Sequence, residues 1–122
     1  MKVNIDGIHN LDNKDIPKYI EKKIGSLDKY VPRFARRSAH AEVKVREEKL
    51  KDKKVCVCEV RLYLPGEVIS AKESTMNMFA AVDIVEEKVK SQIRKYKEKQ
   101  KNSHHSPIKR ILRRFRPIDI SE

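Results

Sequence analysis

From Met76 to Lys101 the chain carries one uninterrupted apolar stripe: Met78, Val82, Val85, Val89, Ile93 and Tyr96. Steps of three, four and seven residues are those of an α-helix with one buried face. Thr75 or Asn77 is placed to cap it. At 1.5 Å per residue, a helix from 77 to 100 is roughly 36 Å long. A stripe of that length has to be covered by another layer. It exceeds what a small sheet covers, so its far end is expected to project past the domain. That far end is also the basic one. Asp83, Glu86 and Glu87 lie in the first half, whereas Lys88, Lys90, Arg94, Lys95, Lys97, Lys99 and Lys101 face a single acid, Glu98, in the second.

The covering layer is legible upstream. Val3 and Ile5 alternate with Lys2, Asn4 and Asp6, a short strand ending at Gly7. Ile16, Ile20, Ile24, Leu27 and Val31 repeat at helical spacing, so a helix is expected over about 14 to 30, capped by Asn13 or Asp15. Pro17 is tolerated near its first turn, Gly25 weakens it and Pro32 ends it. Ala39, Ala41, Val43 and Val45 alternate with polar neighbours as a second strand. Glu47 to Lys54 reads as a charged loop. Cys56, Cys58, Val60, Leu62 and Leu64 mark a third strand, Pro65-Gly66 a tight turn, and residues 67 to 73 a fourth strand with Ile69 and Ala71 inward. The order β-α-β-β-β-α, with one apolar face per strand, predicts an α+β two-layer sandwich: two helices on one face of a four-stranded mixed sheet. The first two strands are expected to be parallel and joined by a right-handed crossover.

A net charge of +11 over 122 residues opposes compaction and calls for a polyanionic partner, nucleic acid first and an anionic membrane second. No apolar run approaches the ~20 residues of a membrane span, and the N-terminus begins structure at once, so a cytosolic protein is expected. Cys56 and Cys58 point to one face of a strand, where a disulfide between them would be strained. A metal half-site there lacks two further ligands. Two small core side chains is the plainer reading.

Catalytic constellations are missing from the pattern. There is no phosphate-binding or dinucleotide fingerprint, no cofactor motif, and no pair of carboxylates placed for acid–base work. Ser103-His104-His105-Ser106 falls in a linker-like stretch. What remains is lysine and arginine on helix surfaces, whose physical use is salt-dependent contact with phosphates. Helix-dipole complementarity explains cations in a last turn, but not a run of nearly four turns. With no Trp and seven aromatics, mostly in helix stripes, base stacking is a poor expectation; Tyr63 is the one strand candidate. Recognition of folded RNA by backbone and shape follows.

Three stretches, "DIPKYIEKKIGSLDKYV", "AHAEVKV" and "VISAKESTMNMFAAVDIVEEKVKSQIRKYKEKQKN", resemble the ribosome hibernation promoting factor family, which includes the ribosome-associated inhibitor protein Y. The most specific part is "NMFAAVDIVEEKVKSQIRKYKEK", where Met78, Ala80, Ala81, Asp83, Lys88, Gln92, Lys95 and Lys97 match the family pattern. Asn77 replaces an Asp, and Ser91 stands where Arg is common. The resemblance implies the same fold and a partner, the small ribosomal subunit with its 16S rRNA, with 70S or 100S ribosomes as the wider assemblies. It implies binding in the channel between head and body, where tRNA and mRNA are blocked without chemistry in stationary phase or stress. Lys22, Lys23 and Lys29 of the first helix and Lys88, Arg94, Lys95 and Lys97 of the last would contact phosphates. Off the ribosome the protein is expected to be a monomer.

Residues 1–102 form the ribosome-binding domain on this reading, and 103–122 a basic, flexible tail. Ile108, Ile111, Leu112 and Phe115 fall at helical spacing among Arg110, Arg113, Arg114 and Arg116, which are expected to add rRNA contacts. Long family members carry a second, dimerising domain and the protein Y type an acidic tail; this segment is similar to neither, although "ILRRFRPI" faintly resembles the start of the long-form domain. Two other readings stay open: a general double-stranded-RNA-binding module, and a protein or membrane-surface adaptor acting through the amphipathic tail.

Overall fold

The computed structural model describes residues 1–11 and 13–103. Four strands, β1 (Lys2–Asp6), β2 (His40–Leu50), β3 (Lys53–Leu64) and β4 (Glu67–Thr75), form one sheet in the order β1-β2-β3-β4. The first pair is parallel and the other two are antiparallel. Helix α1 (Ile16–Gly25) packs beside β1, and α3 (Met78–Ser103) lies over β3 and β4 on the same face. A short helical turn, α2 (Arg33–Arg36), precedes β2. The two-layer α+β sandwich is as the residue pattern predicts.

Alternation does what period two requires. Ala41, Val43 and Val45 of β2, Cys56, Cys58, Val60, Leu62 and Leu64 of β3, and Ile69 of β4 all point into the core, where Ile16, Ile20, Ile24, Leu27 and the α3 stripe meet them. Neither cysteine is in a disulfide and both are fully enclosed, two small core side chains; burial pushes the Cys58 thiol up to about 12, with Glu59 adding to the shift. Asn13 Oδ1 accepts from the Asp15 amide at 2.8 Å, which turns the chain into α1 with Pro17 in its first turn. At α3 the cap is Asn77: its Oδ1 accepts from the Phe79 amide at 2.8 Å, while Thr75 Oγ1 accepts from the Asn77 amide.

Four expectations need correcting. The first helix does not run unbroken to residue 30: after Gly25 it tightens into a 3-10 segment, Ser26–Tyr30, which keeps Leu27 buried. The turn α2 was not expected at all. Residues 47 to 54 are not a loop, because β2 and β3 continue pairing to Leu50 and Lys53 across a two-residue turn at Lys51 and Asp52. Charged residues fill a solvent-exposed strand pair as readily as a loop, so polarity alone misleads there. Finally, the basic end of α3 is tied down through Lys99. The β3–β4 hairpin is long enough to lie under it: nine residues of β4 reach roughly 30 Å. Helix and strand run antiparallel, and Tyr96, fully buried, donates its hydroxyl to the Pro65 carbonyl at 2.8 Å. Burial raises the Tyr96 phenol above its ordinary value, helped by the nearby Glu67 carboxylate.

Candidate nucleic-acid interface

The sheet has one open face, and its charges cancel. Asp6, Lys44, Glu59 and Lys72 face one another in a cross-strand row, alternating in sign. Glu42 sits opposite Arg61 in the next row. Opposite charges across strands stabilise the pairing and leave no track for a polyanion. Tyr63, the strand candidate for a base contact, stacks on His40 with centroids 4.6 Å apart and planes within 5°, so one ring face is already covered.

The helical face behaves differently along its length. Near the start of α3 and along its flank over β4, cations and acids are matched. Lys23 turns toward α3 and lies 3.6 Å from Asp83 and 3.9 Å from Glu86, the latter only 9 % exposed. Tyr19 donates to Asp83; that hydrogen bond, with burial and the carboxylate charge behind it, raises the phenol to about 12. Lys88 is bound to Glu73 of β4 at 2.7 Å, and Lys99 to Glu67 at the same distance. Between them Gln92 Nε2 donates to the Ser70 carbonyl at 2.8 Å, occupying a backbone acceptor on the outer strand. Lys23 and Lys88 are therefore structural as much as available.

On the outward arc of the second half of α3 the cations are unpaired among the described residues. Arg94, Lys95 and Lys97 are exposed and have no ion pair among the described residues. The helix geometry explains why. Val89, Ile93 and Tyr96 spend the inward face, Lys88, Gln92 and Lys99 the flank over β4, and positions 94, 95 and 97 fall on the remaining arc. Beside this arc, Lys90 holds its ammonium 5.0 Å from the Tyr30 ring, which Lys29 approaches at 5.3 Å. The two cations share one aromatic ring, and Lys90, reaching from α3, stitches the 3-10 segment to that helix. Lys22 is exposed on α1, on the same layer.

Residue reading missed the contribution of α2. Phe34, 55 % exposed, stacks near Tyr96 at 6.3 Å and so sets α2 against the basic half of α3. Arg36 is used internally, donating to the Val31 and Lys29 carbonyls at 2.9 and 3.3 Å. Arg33 and Arg37 stay exposed and unpaired among the described residues. The signal was present as "RFARR" directly after Pro32, three arginines in five residues. Of the expected phosphate-binding residues, then, Lys22, Lys29, Arg94, Lys95 and Lys97 are available, and Lys23 and Lys88 are engaged. Arg110, Arg113 and Arg114 lie outside the described residues. Among those described, no three His, Cys, Asp or Glu side chains gather as a metal site, and no helix is long and apolar enough to cross a membrane.

Fold and charge together define a two-layer α+β domain with a balanced sheet face and a cationic helical face. The chain belongs to the family described as sigma 54 modulation protein / S30EA ribosomal protein, whose pattern it matches over residues 3–101. It is 35 % identical over 126 residues to the ribosome hibernation promotion factor of Lactococcus lactis subsp. cremoris, covering 100 % of this chain and 65 % of that protein. Against the ribosome hibernation promoting factor of Azotobacter vinelandii it is 36 % identical over 101 residues, 82 % of this chain and 86 % of the relative. The chain thus spans less than two thirds of the Lactococcus protein. A ribosomal subunit interface protein from Coxiella burnetii has the same fold, with a TM-score of 0.63 at 23 % identity over 80 % of this chain and 99 % of that one.

Proposed function

We propose that the protein is a ribosome hibernation factor. Its helical face grips 16S rRNA in the decoding channel of the small subunit and keeps tRNA and mRNA out, so that translation stops in stationary phase or stress. The mechanism is occlusion, with no bond made or broken, in the cytoplasm. Residues 1–102 act as the binding domain and 103–122 as a basic tail adding contacts. The observation that carries this reading is the exposed cationic arc of Arg94, Lys95 and Lys97, which form no ion pair among the described residues. Phosphates are the ligand that an array of point charges fits. Family membership supplies the ribosome as the source of phosphates.

Sedimentation of the purified protein through sucrose gradients with ribosomes tests it. The expected result is co-migration with the small subunit, loss of initiator tRNA binding, and much weaker binding to an isolated RNA duplex. Equal affinity for duplex RNA and for subunits would instead make it a general double-stranded-RNA module. No association with either would overturn both readings.

A further inference from the structure

We propose that the tip of the β2–β3 ribbon is a second RNA contact, made by Lys49, Lys51 and Lys53 to the phosphate backbone of a segment distinct from the one the helices hold. The inference rests on the ribosome-binding reading above.

The ribbon is an arm. β4 stops pairing with β3 at Cys56, and β1 stops pairing with β2 at Lys44. Beyond Cys56 the β2–β3 pair continues alone through Val55, Lys54 and Lys53, opposite Glu48, Lys49 and Leu50. Those rungs and the turn carry it roughly 10 Å past the sheet. Cys56 approaches the Met76 carbonyl near the start of α3, whereas Leu64, at the other end of β3, lies beside the Pro65 carbonyl that Tyr96 binds. The tip and the basic half of α3 are therefore at opposite ends of the domain, roughly 35 Å apart along β3.

Charges on the arm are sorted. In its stem they cancel: Arg46 pairs with Glu48 at 3.1 Å and Lys54 with Glu47 at 3.6 Å. At the tip, Lys49, Lys51 and Lys53 are exposed, with no ion pair among the described residues and only Asp52 beside them. One feature there works against the fold. Lys49 faces Lys54 across the strands, but Glu47 already pairs with Lys54, so the strain lies in the turn. Lys51 has φ 48°, the left-handed region that glycine or asparagine occupies with less strain. Lysines blunting an unpaired strand edge would account for Lys49 and Lys53. They would not account for a lysine in the turn itself. Leu50 is the one exposed apolar side chain at the tip, too little for the apolar centre of a protein interface, so phosphate is the ligand that this surface fits.

Two grips held this far apart on one rigid sheet raise affinity through effective concentration, provided the target offers phosphates at both ends.

Binding of the full chain to small subunits, measured over a salt series with hydroxyl-radical footprinting of the rRNA, tests the arm. K49Q/K51Q/K53Q should lower affinity by about tenfold or more near 0.1 M salt and reduce the salt slope by about two. One cluster of rRNA protections should disappear while the cluster erased by R94Q/K95Q/K97Q remains. K51G relieves the turn, so it should melt higher than the parent yet show a slope lower by about one. An unchanged slope and a complete footprint in the ribbon variant would sink the arm and leave the helical face standing. So would a crosslink from position 51 to a ribosomal protein instead of rRNA. A parent chain that does not bind subunits would remove both proposals together.

Discussion

Neutralising Arg94, Lys95 and Lys97 together is the sharpest perturbation of the helical face. All three are exposed and without ion pairs in the described structure, so R94Q/K95Q/K97Q should leave the melting temperature nearly unchanged, since surface substitutions away from special features usually stay within about 0.5 kcal/mol each. Each neutralised phosphate contributes about 0.7–0.9 to the slope of log K against log salt. Removing three such cations should flatten the slope by about 2.1 to 2.7. Between 50 and 200 mM salt the parent protein should then lose about 20–40-fold more affinity than the variant does. Lys88 offers the internal control. It is held at 2.7 Å by Glu73, so removing the pair together, E73Q/K88Q, takes away no net charge and no free cation. Its slope should match the parent's within about 0.5. The assay is equilibrium binding to small subunits at four or more salt concentrations. If E73Q/K88Q flattened the slope as much as the triple variant, the distinction drawn between engaged and available cations would be wrong. If the triple variant kept the parent's slope, the helical face would not be where the phosphates bind.

Other outcomes follow from the packing. At Gly7, φ is 98° and an added Cβ would lie 2.1 Å from the Val45 carbonyl oxygen, so G7A should cost about 3 kcal/mol or more and lower the melting temperature by over 10 °C. At Gly25, by contrast, a Cβ meets nothing within 4 Å and the backbone is helical, so G25A should gain about 0.5–1 kcal/mol by the same calorimetric measurement. Cys58 sets an alkaline limit. Its folded-state thiol is raised to about 12 from an ordinary value of 9.0, so above pH 9 the unfolded chain releases a proton that the folded chain keeps, and stability falls as pH rises. Denaturant titrations at pH 9 and pH 10.5 should show the parent losing about 1.5 kcal/mol more than C58A over that interval; parallel losses would contradict it. Deleting residues 103 to 122 should lower subunit affinity and flatten the salt slope in proportion to the arginines removed, and unchanged binding would reject a role for Arg110, Arg113, Arg114 and Arg116.

Much of this was legible in residue order. Period-two alternation at 41–45 and 56–64 and the stripes at 16–31 and 78–96 are local signals, each set by which side chains must leave water, and they dictate two layers with helices on one face. The charge contrast along α3 was equally plain. What order alone hid were relations between distant residues. That Lys23 and Lys88 are engaged depends on Asp83, Glu86 and Glu73, brought near by packing. That α2, with its exposed Arg33 and Arg37, approaches the basic half of α3 at all depends on Phe34 reaching Tyr96.

By itself, then, the chain of residues determined the elements, their inward faces and an excess of positive charge that asks for a polyanion. Tertiary structure decided where that charge is free. A lysine carries the same charge wherever it stands, but whether a carboxylate sits close enough to pair with it is settled only when β4 comes to lie under α3 and the ribbon runs past both of its neighbours.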